Sequence, residues 1–345
     1  MMTSQGETIA VLGAGSWGTA LAVHLGRIGH DVRLWARDEQ LAAEMETSRA
    51  NQRYLPEACF PDRLTPTADI RAALSGAGLV IFAVPSHGLR AVVRDSAAAI
   101  PAGAVLVSTT KGIEAESLRR MSQVISEEAG AGRAVVVLSG PSFAAEVARG
   151  LPTVVVAAST DPEAASRVQD RFRGAAFRLY VSDDVPGVET GGAMKNIIAI
   201  AAGAVEGLGL GHNSMAALIT RGLAEISRLA GAEGGRRDTL AGLSGLGDLV
   251  LTCTGDLSRN RHVGVELGRG RSLKEILGSM RMVAEGVRTT GAALALGARH
   301  GIELPIAAEM AAVLEGRRAP REAVEALMGR RQRPESDRGR LKWEG

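Results

Sequence analysis

Apolar positions in the first half of the chain come in short, Val-rich runs of four to six residues: TIAVLG (8–13), DVRLW (31–35), LVIFAV (79–84), AVLVST (104–109), AVVVLS (134–139), TVVVAA (153–158) and FRLYV (177–181). Runs apolar at nearly every position predict strands covered on both faces. Helix-period stretches lie between several of them, at 17–29, 87–99 and 116–129. This alternation predicts an α/β fold: a doubly wound, mostly parallel sheet with helices on both sides.

After about residue 184 the Val runs stop. Long Ala/Leu/Gly/Glu segments replace them, at 186–206, 214–231, 261–268, 273–278, 284–300 and 305–316. This half reads as all-helical. SDDVPG (182–187) marks the change, and Asp184 before Pro186 is a helix start. The expected division is 1–184 for the sheet domain and 185–328 for a helical domain. From Gly329 the chain carries six Arg and Lys and three Asp and Glu with no apolar period, which predicts a mobile basic tail over 329–345. No internal repeat is visible.

A chain of 345 residues exceeds one typical domain, and its 46% apolar and 23% charged composition is that of a soluble globular protein. A net charge of +2 and only 3% aromatic residues argue against a nucleic-acid or membrane-surface role. Cys59 and Cys253 make no metal motif, and no metal is expected. With no signal peptide and no apolar run long enough to span a bilayer, a cytoplasmic location is expected.

Candidate chemistry begins at GAGSWG, where Gly13, Gly15 and Gly18 form G-x-G-x-x-G between the first strand and the first helix. The first glycine allows a tight turn, the second lets a pyrophosphate approach the backbone, and the third lets helix and strand pack closely. This predicts a Rossmann-type dinucleotide site. An NAD site places an acid at the end of the second strand to hold the ribose 2′-hydroxyl. Here that strand ends Trp35-Ala36-Arg37, which suits a 2′-phosphate and favours NADP(H). Asp38 or Glu39 would take the acid's role if the turn is one residue longer.

Open parallel sheets bind ligands beyond the carboxyl ends of their strands. There the sequence places Pro85-Ser86-His87, Thr110-Lys111-Gly112, and Gly140-Pro141-Ser142 followed by a short helix, AAEVARG. Lys111 can meet an anion as a point charge, and Gly140 and Ser142 offer an N–H and a hydroxyl. The helical half adds Asp248 before an apolar run, and Ser258-Arg259-Asn260 just before a helical stretch, a competent phosphate site or an ordinary N-cap. One cation, Lys195, stands in GGAMKNIIAIAAGAV (191–205). Burial pulls a lysine toward neutrality and fits it for acid–base work. In that reading Lys195 is the base that takes a hydroxyl proton as a hydride leaves, Asp248 orients it, and Asn196 stands beside it. A buried Lys–Asp pair that only specifies packing is the alternative. Among the six histidines, His87 and His212 are the other candidate bases.

These residues sit in longer stretches that resemble bacterial NAD(P)-dependent glycerol-3-phosphate dehydrogenases: GAGSWGTALA (13–22), NQRYLP (51–56), TTKGIE (109–114), LSGPSFAAEVARGLPT (138–153), GVETGGAMKNIIAIAAG (187–203), NSMAALITRGLAEI (213–226), GLSGLGDLVLTCTGDLSRNRHVG (242–264) and VAEGVRT (283–289). The resemblance implies interconversion of sn-glycerol 3-phosphate and dihydroxyacetone phosphate, with Lys195 as proton acceptor, in support of phospholipid synthesis. It implies substrate contacts at Lys111, Gly140, Ser142, Lys195, Asp248, Ser258, Arg259 and Asn260. It implies cofactor contacts at Ser16, Trp17, Arg37, Lys111, Ala144, Arg259, Val283 and Glu285. It also implies a cytoplasmic, commonly dimeric enzyme. EGGRRD (233–238) is more polar than expected, and the tail past 329 runs beyond the family's usual end. A hydroxyacid or ketopantoate reductase, or a cofactor-sensing regulator without turnover, are the rival readings.

Overall fold

The computed structural model describes residues 6–280, 284–332 and 335. Among these residues ten strands form: β1 (Thr8–Leu12), β2 (Asp31–Trp35), β3 (Ala50–Asn51), β4 (Leu55–Cys59), β5 (Leu64–Thr67), β6 (Leu79–Phe82), β7 (Val105–Ser108), β8 (Val135–Ser139), β9 (Thr153–Ala158) and β10 (Phe177–Ser182). Eight of them make one sheet in the order β10-β9-β8-β7-β6-β1-β2-β5, parallel except where β9 pairs antiparallel with β8. All seven Val-rich runs are strands of this sheet. Their side chains are buried on two faces, with Ile9, Val11, Ile81 and Val107 on one and Ala10, Leu12, Val80 and Leu106 on the other.

The chain runs outward from β1 through β2 to β5, then returns past β1 to lay down β6 on its other side. This reversal opens a crevice beyond the ends of β1 and β6, where doubly wound sheets take their ligands. β5 and the hairpin β3–β4 lie outside the expected strands. LTPT and LPEAC are short, carry proline and polar residues, and lack the continuous apolar character of the interior strands. The helix expected from 116 begins at Met121 instead. Leu118 holds a left-handed φ of 58° in a turn closed by Leu118 N–H donating to Glu114 O, 2.9 Å, a conformation no helix start tolerates.

From Val185 every described element is helical. The central helix, Val185–Gly207, has twenty of its 23 residues buried, so it is core on all sides. Asp184 caps it, accepting from Gly187 N–H at 2.9 Å. Helix Arg259–Gly268 crosses it glycine on glycine: a Cβ on Gly203 would strike Val265 N at 2.7 Å, and one on Gly264 would strike Ala204 N at 2.8 Å. Only bare backbone allows that approach, and it sets the start of helix Arg259–Gly268 beside the central helix.

Candidate active site

The glycine loop divides its labour as the spacing predicts. Gly13 turns at φ 120°, and a Cβ there would lie 2.6 Å from Ala83 O at the end of β6. Gly18 packs against the Gly13 carbonyl. A Cβ on Gly15 would meet nothing within 4 Å, so the loop faces open space at that residue. Helix Ser16–Arg27 starts there with no side chain capping it and no acid in its first turn, so its leading N–H groups face that space with a partial positive charge. The Trp17 indole N–H is buried without a partner among the described residues. An open cradle at a helix N-terminus and an orphaned polar atom beside it fit a dinucleotide diphosphate.

Arg37 follows β2 and is exposed. Asp38 caps helix Glu39–Ser48, accepting from Leu41 N–H at 3.1 Å. Ala144 packs against the core under the sheet. Val283 lies outside the described residues.

Across the crevice, two lysines share one carboxylate. Lys195 Nζ donates to Asp248 Oδ1, and Lys111 Nζ donates to Asp248 Oδ2 at 2.7 Å. Lys111 also donates to Gly140 O at 3.0 Å, and Ser142 Oγ donates to the same carbonyl at 2.9 Å. Lys195 and Asp248 are 6% and 1% exposed, so both charges are out of bulk water. Burial lowers the Lys195 pKa to about 8; the Asp248 charge opposes the fall and the Lys111 charge adds to it. Burial pushes the Asp248 carboxyl up, but the two ammoniums outweigh it and hold it below its usual value.

Local sequence explains how these groups meet. A π-turn, Leu243–Gly247, runs straight into helix Asp248–Thr254. This wide turn wraps the central helix at Gly191, where a Cβ would lie 2.8 Å from Ser244 O. Asp248 therefore faces Lys195, one helical turn further along. At Gly192 a Cβ would lie 2.8 Å from Ser139 Oγ, so bare backbone lets the end of β8 come close, and the stem of Lys111 passes the same point in ordinary contact, with Cγ at 3.6 Å.

The sequence reading missed Thr252. Its Oγ accepts from Lys195 Nζ at 2.8 Å and itself donates to the Asp248 backbone carbonyl at 2.6 Å. The available signal was its place four residues after Asp248 on one helix face. Neighbouring Cys253 is buried and its thiol is pushed up to about 12, which leaves it inert.

A second chain of contacts starts beside Lys195. Asn260 Nδ2 donates to Asn196 Oδ1 at 3.0 Å, and Gly286 N–H donates to Asn260 Oδ1 at 3.0 Å. Ser258 is the N-cap of helix Arg259–Gly268, accepting from Arg261 N–H at 3.2 Å. Arg259 is exposed, and its guanidinium makes no hydrogen bond among the described residues. Surrounding protein lowers its guanidinium pKa, and the Glu285 charge opposes this. Glu285 accepts from Ser86 N–H at 3.1 Å and from Ser86 Oγ at 2.6 Å, joining the helical half to the end of β6. Neither His87 nor His212 has a hydrogen bond to the lysine–aspartate cluster among the described residues. No group of His, Cys, Asp and Glu among them could hold a metal ion, and no helix among them is long and apolar enough to cross a membrane.

A doubly wound sheet with a glycine-loop cradle, facing a buried lysine held by an aspartate, defines a nicotinamide-dinucleotide dehydrogenase. Family models place it more narrowly. Residues 8–165 match the NAD-dependent glycerol-3-phosphate dehydrogenase N-terminus and residues 184–325 match its C-terminus. The chain belongs to this family. It is 53% identical over 333 residues to a glycerol-3-phosphate dehydrogenase [NAD(P)+] of Moorella thermoacetica, covering 96% of this chain and 99% of that one. It is 52% identical to the enzyme of that name from Thioalkalivibrio sulfidiphilus, covering 95% and 98%. The crystal structure of glycerol-3-phosphate dehydrogenase from Coxiella burnetii superposes with a TM-score of 0.92 at 42% identity, covering 95% of this chain and all of that one.

Proposed function

We propose that this chain interconverts sn-glycerol 3-phosphate and dihydroxyacetone phosphate with NAD(P)(H), supplying glycerol 3-phosphate for phospholipid synthesis. The observation that carries the reading is the buried Lys195–Asp248–Lys111 cluster at the mouth of the dinucleotide crevice. When bound, the nicotinamide supplies or accepts the hydride at the substrate's central carbon. Lys195 handles the proton: its ammonium donates to the carbonyl oxygen during reduction, and its free amine takes the hydroxyl proton during oxidation. A pKa of about 8 keeps both forms accessible near neutrality. Asp248 and Thr252 fix the direction of the amine, with the Asp248 charge shared between both lysines.

Arg259, exposed near the start of its helix, and Lys111 are the cations assigned to the substrate phosphate. Gly140, Ser142, Ser258 and Asn260 complete that side. Binding energy from the non-reacting phosphate then orients the reacting carbon. Gly13, Gly15, Ser16, Trp17, Gly18, Ala144, Val283 and Glu285 are assigned to the cofactor. Arg37 at the end of β2 favours NADP(H), because Asp38 is already engaged as a helix cap. The boundary at 184–185, a homodimer and a cytoplasmic location belong to the same reading.

The decisive assay follows the absorbance of NADPH as dihydroxyacetone phosphate is added. Decay with this substrate and not with ketopantoate or an unphosphorylated hydroxyacid partner supports the assignment. A preference for a carboxylate substrate would move the chain to a related reductase, and no decay with any small carbonyl compound would make it a sensor.

A further inference from the structure

Segment Asn51–Tyr54 laces along the dinucleotide crevice from the glycine loop to the end of β2. Asn51 Nδ2 donates to Ala14 O at 2.8 Å and to Thr19 Oγ at 2.9 Å. Ser16 Oγ donates to Tyr54 O at 2.9 Å, and Tyr54 N–H donates back to Asn51 Oδ1 at 3.1 Å. Between these anchors, Arg53 Nη1 donates to Asp38 Oδ2 at 2.7 Å, with Glu44 Oε2 at 3.9 Å from its Nη2. Gly13 N–H donates to Trp35 O at 3.0 Å, so the end of β2 that leads into Arg37 and Asp38 lies directly beside the loop.

We propose that Arg53 is a specificity-determining residue that sets the choice between NADP(H) and NAD(H) by holding the Asp38 carboxylate away from the adenosine ribose. The inference rests on the assignment of NADP(H) as the preferred cofactor. Asp38 is the residue type and position able to accept from a ribose 2′-hydroxyl, and its charge would repel a 2′-phosphate. Both its oxygens are engaged instead: Oδ1 accepts from Leu41 N–H and Oδ2 from Arg53. Its pKa is lowered, first by the Leu41 N–H and then by the Arg53 guanidinium, so it is held as an anion paired to a cation. Arg37, exposed just beyond the end of β2, forms no ion pair among the described residues. Arg53 thus stands between the carboxylates of Asp38 and Glu44 and ties the nearer one down, while Arg37 is left unpaired among the described residues.

Arg53 and Asp38 are 35% and 45% exposed, and an exposed pair contributes little to folding, so substitution tests recognition without unfolding the chain. Dissociation constants for NADPH and NADH are measured by titration calorimetry on the full chain and on Arg53→Ala, Arg53→Lys, Asp38→Asn and the double variant. Arg53→Ala is expected to bind NADH more tightly and NADPH more weakly, moving the ratio by about tenfold, the effect of one charge-assisted hydrogen bond. Arg53→Lys should restore most of the ratio. The gain in NADH binding should vanish when Asp38→Asn is added, because the freed carboxylate is what produces it. A simple lost cation would weaken NADPH alone, and equally with or without Asp38; either that result or unchanged NADH binding in Arg53→Ala overturns the proposal. A native chain that favours NADH would instead overturn the NADP(H) assignment, and the change on Arg53→Ala would still decide the role of Arg53.

Discussion

Replacing Asp248 with asparagine removes the one anion between two ammoniums and keeps the side chain's shape. In the native site the Lys195 pKa stands at about 8, held down by burial and by Lys111 and held up by Asp248. Two unit charges 4 Å apart interact by about 4 kcal/mol at an effective dielectric constant of 20. One pH unit corresponds to about 1.36 kcal/mol, so at that separation losing the carboxylate displaces the Lys195 titration by about three units. Water entering the altered site reduces this, and a fall of at least about one unit is expected. With Lys195 as the proposed base, oxidation of glycerol 3-phosphate uses the free amine, and kcat/KM is expected to rise with pH through about 8 in the native chain. In Asp248→Asn that limb should move to lower pH with a lower plateau, because the amine is no longer aimed. The assay is the pH profile of kcat/KM under subsaturating substrate, with thermal unfolding confirming that the variant is folded. An unmoved limb, or one moved to higher pH, would refute the electrostatic account.

Four further outcomes follow from the geometry. Gly15→Ala should leave the melting temperature near native, since a Cβ there meets no protein atom within 4 Å, while weakening cofactor binding at least about tenfold by intruding on the space of the diphosphate; calorimetry reads both. Arg259→Ala should raise KM for the phosphorylated substrate and lower kcat together, each by about tenfold or more, and a change in KM alone would deny it an orienting role. Thr252→Val, isosteric but without an acceptor for Lys195, should lower kcat while leaving NADPH binding unchanged. Glu225 is buried and accepts from Ile306 N–H at 2.6 Å; burial raises its pKa to about 7, and the N–H groups of Ile306 and Ala307 only partly oppose this. A raised carboxyl pKa means stability present below the unfolded value of about 4.5 and lost as pH rises through about 7, so Glu225→Gln should flatten the fall in melting temperature between those limits. Identical slopes in both proteins would contradict it.

The sequence made some of this legible for physical reasons. A strand buried on both faces has no polar positions, so LVIFAV and AVVVLS announced themselves. The glycine spacing showed the turn because Gly13 and Gly18 are forced by atoms that touch them, while a Cβ on Gly15 would meet no protein atom within 4 Å. Lys195 stood out because a cation in an apolar run needs a partner. Edge strand β5 and hairpin β3–β4 did not show, because their apolar positions are interrupted by proline and polar residues. The link from Ser86 to Glu285 spans 199 residues and has no local pattern to betray it. Thr252 reads in sequence as one more polar residue in an apolar helix, and only the π-turn at Leu243–Gly247 gives it and Asp248 their aim.

The most direct test of the account is Lys195→Ala, assayed for NADPH binding by calorimetry and for single-turnover reduction of dihydroxyacetone phosphate on the same preparation. Removing a general acid lowers the chemical step by about 100- to 10,000-fold, so turnover should collapse while the cofactor still binds. Near-native turnover in that variant would contradict the assignment of the proton to this amine.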